Sequence, residues 1–527
     1  MNETTNDGSN NNKKGVSKGI IAITIIAVLA IGGAVSAFML NNLSLKDSYF
    51  LAEQKSLEFM SNKLEERYEP ELDWYEHSKE NATESKVDLS GEYNVPSTET
   101  AVDGVDPAQI INNSNLTITA ATDMKNKQIS TDIAASIGGI EVNDLNFSFT
   151  NEKLMLSLPF VDEVIQLKDA DLGPLLYEID PVSFTGEETL ELDSIFEGNG
   201  ALSKEDMEYF NKEYGKMIYD KLPEDAFTTK EETVEVNGES INAEKISMQL
   251  TEAQVKEILT AVFDKMEKDD KLKDLIRQQA GFQLGGTVTA DPEIEQLLSD
   301  FESSIADAKA GLADFQIPNG FNSTIWVAND LIVQRDLAIE MGPSADELVS
   351  FSVKGGQILK DASQFFDYDL GFAEADNEGV INIAGNLAWE DTKATDKVSL
   401  TADGFTITYD GNEALADGTR DFERIFTFDD TTTSGSLNWK GSAKYDNDQM
   451  SSEHSFSIES PEISQDMLAL HVNVEGKTID KVEMPAEDNI KDIGELGAQG
   501  TMEYFELEVV PSFQEWLFTT MAGSGNF

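Results

Sequence analysis

Leu116-Thr117-Ile118-Thr119-Ala120 alternates apolar and polar side chains, and that period of two decides the fold class. A strand points successive side chains to opposite faces, so this segment is apolar on one face and polar on the other. The texture continues through Ile129, Ile133 and Ala135, then Val142, Leu145, Phe147 and Phe149, then Leu154, Leu156 and Leu158. Turn residues break it at Lys125-Asn126, Gly138-Gly139 and Asn151-Glu152, which gives an antiparallel meander closing near Pro159. After Pro318-Asn319-Gly320 the same grammar returns. A hairpin of Ile325, Val327, Ile332, Leu337 and Ile339 turns at Asn329-Asp330, and further strands fit 349–354, 379–389, 396–410, 422–430, 434–445, 452–459 and 467–475.

Between these series the period changes to that of a helix. Thr251 with Gln254 reads as a capping box, followed by Val255, Ile258, Leu259, Val262, Phe263 and Met266 on one face. Asp291-Pro292 opens another helix with Ile294, Leu297, Leu298, Phe301, Ile305 and Leu312, and Ser203 with Asp206 starts a third. A hairpin turning at Asn237-Gly238 interrupts them. Residues 489–521 form one or two helices around Pro511. Upstream, Ser44 with Asp47 caps a helix that carries Tyr49, Phe50, Leu57, Met60, Leu64 and Tyr68 and stops at Pro70. Residues 78–110 read as a polar linker.

Gly19 to Leu40 has no ionisable side chain. About 20 residues at about 1.5 Å each cross a bilayer core of about 30 Å. Lys13, Lys14 and Lys18 precede it, so residues 1–18 are expected in the cytoplasm as a disordered tail and residues 41–527 outside the cell. A cleaved leader ending at Val35-Ser36-Ala37 is the competing reading. The expected fold class is α+β: an N-terminal transmembrane helix at 19–40, a helical neck and linker at 41–110, a strand meander plus helical region at 111–318, and a second antiparallel strand region at 319–527. The sheets are expected to be curved and packed on amphipathic helices.

A net charge of −61 repels nucleic acid and anionic headgroups and attracts cations and basic partners. The chain has no cysteine, so it stands without disulfides, thiolate metal sites or a lipidated cysteine, a composition familiar in exported Gram-positive proteins. The histidines are His77, His454 and His471, of which the last two fall on adjacent strands. No nucleophile elbow, zinc-protease motif, phosphate loop or dinucleotide fingerprint is present, so no enzymatic chemistry is expected. Calcium is the one ion whose ligand chemistry the acidic turns suit. Asp169/Asp171 and Asp367/Asp369 are the candidate ligands, with Asp446-Asn447-Asp448 a further fragment, and none completes a twelve-residue calcium loop. Asp169-Ala170-Asp171-Leu172-Gly173 recurs as Asp367-Tyr368-Asp369-Leu370-Gly371, a hint of duplication.

The neck phrase Asp47-Ser48-Tyr49-Phe50-Leu51-Ala52-Glu53 resembles an uncharacterised family of single-pass, extracellular, membrane-anchored proteins of Bacillus-type bacteria. The hairpin Ile325-Trp326-Val327-Ala328-Asn329-Asp330-Leu331-Ile332-Val333 resembles those of the lipoprotein-carrier fold. The first resemblance implies an envelope location and no activity; the second implies a curved sheet around helices with a cavity for acyl chains. The expected function is a non-enzymatic envelope protein with a structural or protein-interaction role. The alternative is a carrier of a lipid or other amphiphile between the sheet and the helices at 251–280 and 292–314, and a hydrolase is the remote third. The expected partners are the membrane through residues 19–40, an amphiphile and other envelope proteins, not nucleic acid.

Overall fold

The computed structural model describes residues 44–94, 107–138, 140–190, 192–196, 203–283, 292–374, 377–430, 432–486 and 489–523. Twenty strands form one sheet. They are β1 (Thr83–Tyr93), β2 (Asn115–Asp123), β3 (Gln128–Ile137), β4 (Ile140–Thr150), β5 (Lys153–Ser157), β6 (Val164–Lys168), β7 (Phe227–Val236), β8 (Glu239–Leu250), β9 (Phe321–Ala328) and β10 (Leu331–Met341). There follow β11 (Val349–Lys360), β12 (Ser363–Glu374), β13 (Asn377–Glu390), β14 (Lys393–Ala402), β15 (Phe405–Ala416), β16 (Thr419–Asp429), β17 (Ser434–Tyr445), β18 (Gln449–Glu459), β19 (Leu468–Thr478) and β20 (Ile490–Asp492).

Neighbouring strands run from β7 in order to β19, then β1 to β6, then β20. Every pairing is antiparallel except β6 with β20. Among the described residues no pairing joins β7 to β20, so the ribbon is open. At about 4.8 Å per strand its path is roughly 90 Å long. The hairpins follow from local chemistry. Asn237-Gly238, Asp403-Gly404 and Asp417-Gly418 all have positive φ, the backbone that a two-residue turn between twisted strands demands.

The main helices are α1 (Leu45–Arg67), α2 (Glu69–Glu80), α3 (Asp169–Ile179), α4 (Glu252–Met266), α5 (Asp270–Gln283), α6 (Pro292–Gly311), α7 (Ile493–Tyr504) and α8 (Val510–Gly523). The capping boxes read from Ser44/Asp47, Ser203/Asp206 and Thr251/Gln254 are all formed. At one end of the ribbon α1, α4 and α6 cover β7–β11, with Tyr49, Phe50, Phe263, Ile305, Phe321 and Ile339 in one core. The other face of these strands buries Val234, Val236, Trp326, Val333 and Ile358, because the sheet curls until Val236 meets Gly356 of β11. At the far end Tyr504 and Val509 pack on Ile165.

The expected α+β class is corrected: one open, almost wholly antiparallel sheet dominates, and helices cover only its ends and one margin. Residues 19–40, read as a transmembrane helix, lie outside the described residues, and no described helix is long and apolar enough to cross a membrane. The linker expected over 78–110 contains β1, which joins β19 to β2 and makes the two expected strand regions one sheet. The sheet also crosses the boundary expected at 318, where β8 pairs with β9. The repeated pentapeptide is no structural repeat: Asp169–Gly173 opens α3, whereas Asp367–Gly371 lies inside β12.

Candidate functional site

Directly paired residues share a face, so the registers define the two surfaces of the middle ribbon. One row is Tyr368, Ile383, Leu400, Ile407, Phe428 and Gly435. The next is Phe366, Gly385, Val398, Tyr409, Phe426, Leu437 and Ile458. Neither row contains a charge. The opposite face of the same strands carries residues such as Asn438, Lys440, Ser442 and Lys444 of β17 and Ser451, Glu453, Ser455 and Ser457 of β18. Rings lie flat across neighbouring strands: a Cβ at Gly385 would sit 2.3 Å from the Phe366 ring, and one at Gly441 would sit 2.7 Å from Phe422. Tyr409 meets Phe426 in a tilted pair with ring centres 5.1 Å apart, and Trp439 stacks on Phe456 at 5.4 Å.

The α1–α2 arm crosses this apolar face along one margin. Tyr49 shares a hydrogen bond of 2.6 Å with Ser323 of β9, and further along Trp74 approaches Gly476 and His77 reaches Thr478 of β19 at 2.9 Å. Between them lies a buried ion network. Arg67 donates to Asp396 at 2.7 and 3.1 Å and to Glu413 at 3.2 Å. Glu413 also accepts from Tyr68 at 2.9 Å, Arg420 at 3.2 Å and Arg424 at 2.7 Å. Arg420 donates to Glu71 of α2 at 2.7 Å. Three guanidinium groups meet three carboxylates, so the buried charge is balanced. Burial alone would raise the Glu413 carboxyl, but the Arg424 hydrogen bond and the Arg67 charge outweigh it and hold the group below its ordinary range. Arg424 also stacks on Phe422 and Trp439, 4.4 and 4.5 Å from the ring centres.

Beyond this margin the apolar face is open. Phe372, Phe405, Ile407, Phe428, Leu437, Ile458 and Leu470 are each between 38 and 46% exposed. They lie toward the ends of their strands remote from the arm. An apolar surface of this continuity is uncommon on a protein exposed only to water.

The residues singled out from sequence do not converge. Asp169 accepts from the Leu190 backbone, and Asp367 and Asp369 both accept from Asn382 Nδ2, at 2.8 and 2.9 Å. Asp171 packs beside Gly494, far in the chain from the β12 pair. Among the described residues no group of three or more His, Asp or Glu side chains is gathered for a metal. His454 and His471 fall on opposite faces, since His454 pairs with Val472 and His471 with Ser455. His454 accepts from the Trp439 indole at 3.2 Å, and burial together with the Arg424 charge keeps its imidazole below its ordinary pKa. His471 Nε2 lies 3.2 Å from Glu92 on the polar face. The acidic cleft under α2, about 1130 Å³ and lined by Glu69, Asp73, His77, Asp446 and Asp448, gathers no such set either. Sequence reading missed the Arg67 network. Its signal is visible afterwards: Asp396, Glu413, Arg420 and Arg424 occupy the apolar phase of period-two strands, where a charge needs a partner.

No protein-family model and no curated protein matches the sequence. Among solved structures, Pseudomonas aeruginosa OccK3 (OpdO) is similar at TM-score 0.25 and 6% identity, over 76% of this chain and 95% of that one. Acinetobacter baumannii OccAB3 gives 0.23 and 7%, over 76% and 98%. A BenF-like porin from Pseudomonas fluorescens Pf-5 gives 0.22 and 7%, over 76% and 98%. At such scores the likeness carries no argument about closure or activity.

The functional expectations are corrected nonetheless. A structural or protein-interaction role rested on a filled core, and the middle of the sheet has none: its apolar face is open. The amphiphile cavity expected beside the helices at 251–280 and 292–314 is closed, because Val255, Ile258, Leu259, Val262 and Phe263 pack directly on the sheet. The single-pass, Gram-positive, extracellular frame is also withdrawn, together with membrane attachment through 19–40. Among the described residues no helix is long and apolar enough to serve as the anchor.

Proposed function

We propose that the ribbon is an open track along which an extended hydrocarbon chain is held and passed from strand to strand. The observation that carries this reading is the pair of uncharged rows on β12–β18, ending in side chains that water reaches. Burying such side chains is worth about 25 cal/mol per Å² of apolar area. The track needs no closed barrel. Its floor is the sheet, one wall is the α1–α2 arm, and the third side is open to solvent. Several features favour a thin, flexible occupant over a bilayer. The arm stands above the same face, so a flat membrane cannot lie on it, and an open-edged sheet leaves backbone groups unpaired in hydrocarbon. A second copy is disfavoured because each chain carries a net charge of −61.

The test is calorimetric titration of the full chain with decyl maltoside below its micelle concentration. Saturable binding is expected. The double variant Ile407→Asp with Phe428→Asp should abolish it while circular dichroism stays unchanged, since both side chains lie on the open face. Undiminished binding by that folded variant would overturn the reading.

A further inference from the structure

A buried donor stands unmatched where the apolar rows of the track meet the ion network. Arg424 donates through Nη2 to Glu413 at 2.7 Å, and its guanidinium lies over the Phe422 and Trp439 rings. Its Nε–H is buried, and among the described residues no group accepts from it. An arginine nitrogen can only donate, so the missing partner is an acceptor. Leaving such a donor unmet in an apolar setting costs free energy. A second free donor lies beside it. Gly411 is the direct cross-strand partner of Arg424, and the Tyr409 hydroxyl lies over Gly411, where a Cβ would collide with it. Among the described residues that hydroxyl has no hydrogen-bond partner. Burial raises the phenol above its ordinary pKa, so it keeps its proton and can donate.

Resting on the reading of the sheet face as a hydrocarbon track, we infer that its occupant is a neutral acyl ester whose carbonyl oxygen accepts from Arg424 Nε and the Tyr409 hydroxyl. The charge balance selects a neutral group over a carboxylate. Arg67, Arg420 and Arg424 are already matched by Asp396, Glu413 and Glu71, so a further buried anion would stand uncompensated beside Glu413. An ester carbonyl meets both donors without adding charge. Tyr409 is half-buried and stands between Arg424 and the open end of the strands. The carbonyl therefore meets its hydroxyl first, and a turn of that ring uncovers the N–H behind it. The acyl chain then runs over Phe426 to Phe428, four residues from Arg424 and, at about 3.4 Å each, roughly 14 Å away.

The experiment titrates the full chain with three ligands below their micelle concentrations: 1-decanoylglycerol, 1-O-decylglycerol and decanoate. The first two differ only in the carbonyl. The ester is expected to bind about tenfold more tightly than the ether, and decanoate more weakly than the ester. The ester's carbonyl stretch should move to lower frequency in the infrared on binding. Arg424→Lys keeps a cation facing Glu413 but puts a methylene where Nε stands, and it should abolish the preference for the ester. Tyr409→Phe keeps the ring and should shrink that preference about threefold while leaving the ether unchanged. Should Arg424→Lys fail to fold, Tyr409→Phe decides alone. Equal binding of ester and ether, the result if a water holds the two donors, would overturn the inference while sparing the track. So would tightest binding by decanoate, or an ester preference unaltered in Tyr409→Phe. Failure of all three ligands to bind would remove the track itself.

Discussion

Phe351 and Phe372 are cross-strand partners on one face, with ring centres 5.2 Å apart, yet Phe351 is 2% exposed and Phe372 39%. The boundary between the two regions of the molecule runs between them. On the β7–β11 side, α1, α4 and α6 seal the apolar face into a core. On the β12–β19 side, the same alternation of side chains continues with only the α1–α2 arm above it. The strands are alike in the two regions; the helices differ. An apolar strand face is therefore not evidence of a core until its cover has been found.

Removing matter from the two sides should give unequal costs. Phe263→Ala in the sealed region should lose about 3–5 kcal/mol, whereas Phe428→Ala on the open face should lose under about 1 kcal/mol, both read from urea denaturation midpoints. Equal losses would mean that the open face is covered in solution. At the seam between arm and sheet, Glu413→Gln should cost about 3–5 kcal/mol, because Arg67, Arg420 and Arg424 would be left sharing Asp396 and Glu71. A loss within error would show that water reaches the network.

The same carboxylate sets an acid limit. Its folded pKa lies below the ordinary value of 4.5, so in falling pH the unfolded chain takes up the proton first. The stability that Glu413 contributes is complete above that value and lost as pH falls through the folded pKa. Thermal melts of the parent should therefore decline below about pH 4.5 more steeply than those of Glu413→Gln. A smaller effect is expected at Gly385, where a valine would displace the Phe366 ring and cost about 1–3 kcal/mol by overpacking. The smallest belongs to the exposed pair Lys360–Glu239, whose removal should change the melting midpoint very little.

Much of the fold was legible in the residues. The helix caps at Ser44, Ser203 and Thr251 and the turn at Asn237-Gly238 are local chemistry, and each stands where its side chains place it. The alternation over 396–410 reads as one strand, although Asp403-Gly404 splits it into β14 and β15. There the flanking residues are uniformly strand-like, and the turn dipeptide alone carries the signal. β1 is hard to read from sequence because Val87 and Leu89 alternate with Lys86, Asp88 and Ser90 in a stretch poor in large apolar residues. The neck phrase Asp47–Glu53, read as a mark of family, does packing work: Tyr49, Phe50 and Ala52 are buried against the sheet. The site was not legible, because it depends on where the helices stop covering the strands. Long-range docking decides that, and no periodicity encodes it.

The most direct measurement is photolabelling of the full chain with a diazirine-bearing alkyl chain, followed by mapping of the labelled peptides. Labels should concentrate on β13–β18, above all on residues 400–458, and be displaced by excess decyl maltoside. Labels on the helices at 252–311, or spread evenly over the chain and indifferent to competitor, would contradict the open track.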